Sequence, residues 1–446
     1  MNAEHGTGAS IAELFEHVRR NPRHYGALMR LGTLLAETGN DAAARTVYAQ
    51  AVREHPSVAG PYVCLGTLLV DAGEHADAVR LFASALELDP GNREALRGLA
   101  VVHEREGELD AAGAVWRRAF PGGSFETSGY RGAGTPVRVL YLTSAVGGNV
   151  PMRHVFDPQL FEVTTLIAES APAQIVLPAH DVVFNAVGDA DRSTRALAAA
   201  QRIGRATRAP VVNDPARVRA TTRLHNASRL AALTDVVTAR MAELPRAGLV
   251  APEGAAALAA AGFAWPVLLR SPGYQTGEHF VRVDGPSSLA GVAAALPGEA
   301  LLAIAYVDSR GADGAFRKYR VMTIGGALYP IHLAIAPEWK VHYFRSAMAD
   351  RPEHRAEEAA FLADAPGVLG ERVLAALDRV AAALGLDYGG IDFTPLPDGR
   401  VLVFEANATM VLVPPEPDAK WDYRRDAIAR ALDAARAMLV SRARTG

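Results

Sequence analysis

Residues 389–410 read GGIDFTPLPDGRVLVFEANATM and contain two β-rich runs separated by the dipeptide Asp398-Gly399. This dipeptide favours a two-residue hairpin turn, which would pair Pro397 with Arg400 and set the register of both strands. Apolar residues flank the polar positions of the two runs: Ile391, Phe393, Val403 and Phe404. We therefore expect a buried antiparallel hairpin.

The predicted register places three oxygen-bearing side chains on one face of this hairpin. Asp392 lies opposite Glu405, and directly opposed residues have Cβ atoms about 4.5–5.5 Å apart. Asn407, two residues beyond Glu405, projects to the same face. Two carboxylates this close repel each other, and magnesium prefers such oxygen ligands together with nucleotide phosphates. The alternative is a solvated hairpin with ordinary surface acids.

A strand with glycine and aspartate, followed by a strand with Glu-x-Asn, resembles the metal-binding end of the ATP-grasp superfamily. The resemblance extends over about residues 136–440 and is strongest at 389–407. Among relatives it is closest to amino-acid and peptide ligases such as glutathione synthetases and ribosomal-protein glutamate ligases. It implies ATP and Mg²⁺ as cofactors, with the metal held by Asp392, Glu405 and Asn407. Ala408-Thr409-Met410 departs from the family's usual Asn-Pro-x-Gly-like continuation.

The segment AWPVLLRSPGYQTGEHFVRV, residues 264–283, has the order strand, glycine loop, strand. It is similar to the phosphate-covering segment of the same family, with Arg270 in a position usually held by lysine. Arginine keeps the charge and offers a bidentate fork to phosphate oxygens. The resemblance implies nucleotide contacts from Gly273, Thr276 and Gly277, in a loop that closes over the phosphates. The alternative is a basic residue beside an ordinary hairpin.

Two further stretches resemble nucleotide-binding parts of the family. Arg223, within residues 213–233, matches a second phosphate-directed basic residue, although it could equally belong to a solvated helix face with its neighbouring arginines. The run EALLAIAYVDSRG resembles the strand and hinge that hold adenine. The resemblance implies that Tyr306 and Val307 border the adenine ring and that Asp308 lies near the ribose.

The catalytic candidates lie in FRKYRVMTIGGALYPIHLAI, which reads as two strands around a glycine pair. Lys318 and Arg320 share one face because they are two residues apart. The resemblance implies that Arg320 steadies the transferred phosphoryl group and the substrate carboxylate. His332 on the return strand either assists or is a structural histidine. Lys340 and His342, farther along, belong either to a substrate-binding loop or to a solvated basic face.

An α/β region precedes these motifs. Residues 137–143, 161–168, 180–188 and 210–213 are strand candidates, and a helical stretch separates the last two, which favours a parallel sheet. The loop SAVGGNVP follows the first strand, at the ligand-binding end of such a sheet. Asn149 in this loop is either a substrate contact or part of a plain turn.

The first 120 residues repeat with a period of 34. Small residues, turn glycines and aromatics recur at this offset: Gly32, Gly66 and Ala100; Gly39, Gly73 and Gly107; Tyr48, Phe82 and Trp116. The pattern resembles the tetratricopeptide repeat over residues 10–121, in which small residues let paired helices approach closely. Such an array binds a peptide or protein partner, or else it mediates a homodimer or supports the next domain.

Composition excludes several classes of protein. The formal net charge of -3 supplies no basic field for nucleic acid. No apolar run approaches the roughly 20 residues of a membrane-spanning helix, and the start lacks the order of a signal peptide. Cys64 is the single cysteine, which excludes an intramolecular disulfide. We expect a cytoplasmic protein that binds neither nucleic acid nor membrane.

The sequence therefore predicts a multidomain protein: an α-solenoid of tetratricopeptide repeats (10–121), a linker (122–135), an α/β pre-ATP-grasp domain (136–215) and an α+β ATP-grasp domain (216–440). The expected function is a magnesium-dependent ligase that joins a carboxylate, activated by ATP as an acyl phosphate, to an amine of an amino acid or peptide. A non-catalytic nucleotide-binding scaffold is the main alternative. A carboxylase or kinase-like use of the same fold is another.

Overall fold

The computed structural model describes residues 10–272, 274, 277–341 and 346–445. Contacts divide the chain into two units. The first contains residues 10–124 and 169–176, and the second contains residues 125–168 and 177–445. A helical repeat region therefore precedes a sheet-rich mixed α/β region, as expected.

The first unit consists of paired antiparallel helices: α1 (Ile11–Arg20), α2 (Tyr25–Glu37), α3 (Asp41–Glu54), α4 (Ala59–Asp71), α5 (His75–Leu88), α6 (Arg93–Arg105) and α7 (Leu109–Ala119). The predicted glycine turns between paired helices are present. Gly39, Gly73 and Gly107 have φ angles of 76°, 79° and 77°, a left-handed conformation that glycine adopts without steric cost. Each glycine ends one helix so that the next can fold back against it.

Aromatic side chains fill the space that the small residues leave between helices. Phe82 is fully buried, and a Cβ built on Gly66 would lie 2.8 Å from its ring. A Cβ on Gly98 would also collide with this ring, and one on Gly32 would lie 2.5 Å from the ring of Tyr48. The period of 34 thus encodes a repeated packing of ring against glycine.

Truncation of Phe82 should loosen the array. Phe82→Ala removes a fully buried ring, and such changes cost about 3–5 kcal/mol. We expect the protection of α4, α5 and α6 amides in hydrogen-exchange mass spectrometry to fall by about this free energy. Phe15→Ala is the matched control because Phe15 is 60% exposed. Equal loss of protection in both variants would contradict this account of the packing.

The second unit begins with a five-stranded sheet: β1 (Glu126–Ser128), β2 (Val137–Thr143), β3 (Phe161–Ile167), β4 (Val182–Asn185) and β5 (Val211–Val212). The strand order is β1-β3-β2-β4-β5, and all pairs are parallel except β1 with β3. Helix α8 (Thr194–Arg205) connects β4 to β5. The predicted parallel strands are present, but the predicted linker also contains β1. Its three residues are exposed at the sheet edge, so its composition carries no apolar signal.

The next segment builds a smaller sheet. Its elements are α9 (Pro215–Arg219), α10 (Arg223–Leu230), β6 (Val236–Thr238), β7 (Met241–Pro245), α11 (Arg246–Val250), α12 (Gly254–Ala260), β8 (Val267–Arg270), β9 (Phe280–Val283), α13 (Pro286–Ala295) and β10 (Ala300–Ala305). Strands β7-β10-β8-β9 form an antiparallel sheet. One face packs on α11, α12 and α13 through residues such as Leu258, Leu269 and Leu289. The opposite face presents Leu268, Leu302 and Ile304.

A third sheet completes the unit. Its elements are β11 (Phe316–Ile324), β12 (Ala327–Ala336), α14 (Pro352–Ala363), α15 (Ala365–Leu369), α16 (Glu371–Leu384), β13 (Tyr388–Pro395), β14 (Val401–Asn407) and α17 (Arg425–Thr445). The order is β12-β11-β13-β14-β6, antiparallel except for β14 with β6. No helix in the described ranges is both long and apolar enough to span a membrane.

The turn of the β13–β14 hairpin differs from the predicted one. Leu396 N–H donates to Arg400 O at 2.8 Å, so three residues rather than two form the loop. Gly399 adopts a φ of 82° in this loop. The added residue shifts the pairing by one position in the part of the hairpin nearer the turn, from Pro395 and Val401 to Phe393 and Val403. The predicted pairing of Pro397 with Arg400 was therefore wrong. A glycine in the left-handed region closes three-residue loops as well as two-residue ones, so the Asp398-Gly399 dipeptide did not fix the loop length.

A bulge restores the expected register at the polar positions. Phe393 pairs with Val403, whereas Asp392 pairs with Glu405, so Phe404 is the extra residue. Phe404 is 39% exposed, which corrects its predicted burial. The longer turn shifts the strand register by one residue, and the bulge at Phe404 shifts it back. Asp392 therefore lies opposite Glu405, as predicted.

Candidate active site

The Asp392 carboxylate is enclosed by two cations of the neighbouring strand. Arg320 lies opposite Asp392 in the β11–β13 register. Its Nε and Nη2 donate to Oδ1 and Oδ2 of Asp392 at 2.6 and 2.8 Å, and Lys318 Nζ lies 3.1 Å from Oδ2. Burial favours the neutral acid, but the two cations and the Arg320 hydrogen bonds hold the pKa of Asp392 well below its usual value. Asp392 is therefore an ionised counterion of both basic residues.

The three predicted metal ligands each accept hydrogen bonds from protein groups in this structure. Both Asp392 oxygens contact Arg320, and Glu405 Oε1 accepts from Arg223 Nη2 and Asn407 Nδ2, each at 3.0 Å. Asn407 Oδ1 accepts from Thr409 N and Oγ1 at 2.9 and 2.8 Å. Within the described part of the chain, no three His, Cys, Asp or Glu side chains are grouped to hold a metal. The hairpin alone did not reveal that β11 supplies the compensating charges.

Arg223 connects two carboxylates at the start of α10. Its Nη1 lies 3.1 Å from Asp191 Oδ2, and its Nη2 lies 3.0 Å from Glu405 Oε1. Burial raises the pKa of Asp191 against the opposing charge of Arg223. A small polar cleft of about 240 Å³, including open solvent, is lined by these groups: Gly188, Asp189, Ala190, Asp191, Thr221, Arg223, Glu405, Asn407 and Thr409.

Asp189 and Asp191 were missed by the sequence analysis. They follow β4 directly, at the carboxyl end of a parallel strand, where ligands of open α/β sheets bind. The sequence DAD after a buried strand was the available signal. Arg223 was among the predicted residues, and its ion pairs with Asp191 and Glu405 differ from the solvated helix face considered as the alternative.

Arg270 extends from the end of β8 toward the same groups. Its Nη2 donates to Tyr274 O at 2.5 Å, and its guanidinium lies 5.5 Å from the Phe280 ring centre. Burial, aided by the Arg223 charge, lowers the pKa of Arg270 to about 10, while the Glu405 charge opposes this shift. Arg270 thus stays protonated at neutral pH. Its positive charge, carried by β8 of the four-stranded sheet, lies near Arg223 and Glu405.

The glycine loop contacts the segment that carries Lys340. Lys340 Nζ donates to Phe280 O at 2.9 Å, and Trp339 packs edge-to-face on the Phe280 ring. Gly277 has a φ of 75°, and a Cβ there would lie 2.7 Å from Lys340 Cε. The close approach and the left-handed backbone both require glycine at position 277. Gly273, Thr276 and His342, predicted nucleotide and substrate contacts, lie outside the described residues.

The predicted adenine hinge follows β10 and borders an apolar surface. Tyr306 packs with Leu268, Leu302 and Ile304, and the Arg282 guanidinium lies 4.5 Å from its ring centre. Val307 comes next in the same irregular segment. The Asp308 carboxylate pairs with Arg310 at 2.5 Å, and this hydrogen bonding lowers the pKa of Asp308. The segment offers a flat apolar surface with an ionised carboxylate nearby.

Two predicted site residues have structural contacts. Asn149 Oδ1 accepts from Ser144 N at 2.7 Å and its Nδ2 donates to Ser144 O at 2.8 Å, so its amide closes its own loop. This favours the plain-turn alternative. His332 is buried opposite Arg320. Burial, and then the Arg320 charge, hold the pKa of His332 well below its usual value, so the imidazole is neutral at pH 7. A neutral buried ring favours the structural alternative for His332.

Comparison with known proteins identifies the helical repeats. The tetratricopeptide repeat family model matches residues 10–59 and 65–124, which confirms the repeats. The solved structure of MamA is 21% identical with a TM-score of 0.24, and the match covers 24% of this chain and 64% of that chain. The chain thus spans less than two thirds of MamA. A MamA RS-1 ArsTM double mutant is 18% identical, with a TM-score of 0.23, and the match covers 24% of this chain and 61% of that chain.

A further solved structure is similar over a larger share of the chain. VanG D-Ala:D-Ser ligase from Enterococcus faecalis is 11% identical with a TM-score of 0.43, and the match covers 69% of this chain and 100% of that chain. No curated protein matches the sequence.

Neutralising Asp392 should destabilise the second unit. Asp392→Asn leaves Arg320 and Lys318 facing each other in a buried site, and breaking such a pair costs about 3–5 kcal/mol. We expect urea unfolding followed by tryptophan fluorescence to show this loss at pH 7. Asp398→Asn, in the exposed turn of the same hairpin, should leave the unfolding transition close to that of the wild type.

The effect of Asp392→Asn should also depend on pH. The folded-state pKa of Asp392 is depressed, so its contribution is present above the unfolded-state pKa of about 3.9 and is lost as pH falls further. The stability difference between wild type and variant should therefore shrink from pH of about 5 to about 3. A difference that is constant over this range would contradict the ion-pair account.

Proposed function

We propose that the second unit binds ATP between its four-stranded and third sheets and uses it to join a carboxylate to an amine. The observation that carries this proposal is the convergence of charges from separate elements: Arg270 from β8, Arg223 from α10, Glu405 from β14, and Lys318 and Arg320 from β11. Cations gathered beside an apolar surface suit a ligand that combines a flat ring with a polyphosphate.

The nucleotide base fits the apolar side of this cleft. Leu268, Leu302 and Ile304 lie on the sheet face that α11, α12 and α13 leave uncovered. In our proposal adenine lies against these residues, with Tyr306 and Val307 at its edge. Asp308 then lies near the ribose, because it follows them directly in the chain.

The phosphates fit the charged side of the cleft. Arg270 and Arg223 carry fixed charges on different elements, and phosphoryl transfer depends mainly on positioning and charge neutralisation. In our proposal both arginines bind phosphate oxygens, and the loop from 273 to 277 closes over them and excludes water. Lys340 supports this closure through its contacts with the end of the loop.

The reaction needs no protein nucleophile. A substrate carboxylate oxygen attacks the γ-phosphorus of MgATP and ADP leaves; the amine nitrogen then attacks the acyl carbon, phosphate leaves, and the nitrogen loses a proton. In our proposal Arg320 and Lys318 bind the carboxylate and the transferred group; both side chains are partly accessible, and both pair with Asp392. Their charges stabilise the negative charge that develops during transfer.

A non-catalytic nucleotide-binding protein is the second candidate. It is favoured by the protein donors that already contact Asp392, Glu405 and Asn407. In either case we propose that the tetratricopeptide array binds a peptide or protein partner, as such repeats generally do.

Turnover separates the two candidates. Incubation with MgATP and a panel of acids and amines should release ADP and phosphate only when both acid and amine are present. Arg320→Met should lower kcat/KM by about 100-fold or more, because it removes a charge that acts on the transferred group. Nucleotide binding without turnover across the panel would favour the scaffold.

Arg317→Met is the matched control for Arg320→Met. Arg317 lies on the same strand but pairs with Asp313 and Glu357 at 2.8 and 2.5 Å. This variant should retain turnover within about threefold. An equal loss in both variants would show that the Arg320 effect is structural and would remove its support for the proposed role.

Substitution of Arg270 should weaken the binding of the ATP phosphates but not that of the base. Because a charged hydrogen bond contributes about 1.5–3 kcal/mol, Arg270→Met should weaken ATP binding by about 10–150-fold in isothermal titration calorimetry. Adenosine binding should change by less than about threefold. The control is Arg246→Met. Arg246 follows β7 directly, and its guanidinium contacts Leu296 O. Equal weakening of ATP and adenosine would contradict a phosphate contact.

A further inference from the structure

Asp191 lines the polar cleft beside Arg223. The cleft has a volume of about 240 Å³ including open solvent, and the Asp191 side chain is 30% exposed. Its Oδ2 pairs with Arg223 Nη1 at 3.1 Å, whereas its Oδ1 accepts no hydrogen bond from any residue that the structure describes. Asp191 therefore retains an oxygen that can accept a hydrogen bond, or a proton, from a ligand.

The loop that carries Asp191 is held by its own contacts. Asp189 Oδ1 accepts from the backbone N–H groups of Asp191 and Arg192 at 3.0 and 3.1 Å. Asp189 N in turn donates to Gly148 O at 3.1 Å, which ties the loop after β4 to the loop after β2. Because its backbone is fixed in this way, Asp191 is positioned before any ligand binds.

The threonine hydroxyls that line the same cleft already donate to protein groups. Thr221 Oγ1 donates to Val218 O at 2.7 Å, and Thr409 Oγ1 donates to Asn407 Oδ1 at 2.8 Å. A hydroxyl has a single proton to give, so these side chains offer only lone pairs to a ligand. A ligand group that carries N–H therefore suits these oxygens, while Arg223 suits a phosphate.

The charges around Asp191 strengthen it as a base. Burial raises the pKa of Asp191 against the opposing charge and hydrogen bonds of Arg223, and the charge of Asp189 adds to the rise. Arg270 on β8 and Glu405 on β14 complete the surrounding charges, since Asp191, Arg223 and Glu405 all act on Arg270. A carboxylate with a raised pKa accepts a proton more readily than an ordinary aspartate does.

The proposed phosphate contact places Asp191 close to the reacting atoms. Arginine carries five N–H groups, and the pairs of Arg223 with Asp191 and Glu405 leave others for phosphate oxygens. A phosphate bound there is separated from Asp191 by one guanidinium group. The acyl carbon of an acyl phosphate is bonded to a phosphate oxygen, so an amine that attacks this carbon arrives near Asp191.

We propose that Asp191 takes a proton from the amine substrate, and that this substrate is an aliphatic amine that arrives as an ammonium ion. The ammonium donates a hydrogen bond to Asp191 Oδ1 and transfers one proton to it. The neutral nitrogen then forms a bond with the acyl carbon, the bond from that carbon to the phosphate oxygen breaks, and a second proton of the nitrogen leaves with the phosphate. Asp191 returns its proton to water. This inference rests on the proposed ligase function and names the class of amine on which it acts.

The test compares nucleophiles that differ in charge. The full chain is incubated at pH 7 with MgATP, N-acetylated amino acids and dipeptides as acids, and either L-amino acids or hydroxylamine as nucleophile. The amino acids are ammonium ions at this pH, whereas hydroxylamine is mostly uncharged and attacks acyl phosphates directly. Because a general base contributes about 100-fold or more, Asp191→Asn should lower amide formation by at least about 100-fold. Hydroxamate formation should stay within about threefold, which would also show that the variant folds and forms the acyl phosphate.

Asp235→Asn is the matched control. The Asp235 side chain is 21% exposed and likewise pairs with arginines, Arg372 and Arg379, at 2.6 and 3.4 Å. Both rates should stay within about threefold in this variant. An equal loss of amide and hydroxamate in Asp191→Asn would show that Asp191 only holds Arg223 in place and would overturn the proposal. Unchanged amide formation in Asp191→Asn would overturn it as well.

The pH dependence gives a second readout. Without Asp191 the free amine must come from solution, so amide formation by Asp191→Asn should rise about tenfold per pH unit below the pKa of the amine. The wild type takes up the ammonium form and should change far less between pH of about 7 and 8.5. A wild-type rate that rises as steeply as that of the variant would contradict proton transfer to Asp191.

The two nucleophiles also separate this inference from the ligase function itself. Hydroxamate formation with amide synthesis that does not depend on Asp191 would leave the ligase standing and refute the role of Asp191. Absence of both products with every acid would refute the ligase function and, with it, the proton transfer.

Discussion

The ion pair between Asp392 and the two cations of β11 is the constraint on which the candidate site depends. A buried carboxylate is tolerated only when opposite charges and hydrogen bonds compensate its lost hydration, and Arg320 and Lys318 supply both. Their geometry requires β11 and β13 to be adjacent and in the observed register. The pairing of β11 with β13 thus also sets the electrostatics of the site.

The protein uses charge in two ways around this cleft. At Arg223, a cation bridges the carboxylates of Asp191 and Glu405, so the positive group is enclosed by acids. At Asp392 and Glu358, acids are enclosed by cations, and the positive groups reach solvent. A nucleotide and an acid substrate both carry negative charge, and the second arrangement presents the complementary sign.

The two units depend on different kinds of interaction. In the helical array each aromatic ring packs against glycines of the adjoining helices, such as Phe82 against Gly66 and Gly98. These contacts join neighbouring repeats and recur along the chain, which is why one period describes them all. In the sheet-rich unit, Arg223 and Glu405 are separated by 182 residues along the chain. Its site exists only when three sheets are assembled.

The sequence by itself determined the repeats and the parallel strands, because both follow from local periodicity; it also predicted that Asp392 faces Glu405, although the pair forms through a longer turn and a bulge that the sequence did not reveal. Lys318 and Arg320 could likewise be assigned to one face of a strand. Only the tertiary structure decided which strand lies beside β13, and therefore that Asp392 pairs with Arg320 and Lys318. It also decided the bulge at Phe404 and the pairing of Glu358 with Arg424. The physical reason is that ion pairing and bulge position depend on contacts between segments distant in the chain, and neither composition nor spacing records which segments meet.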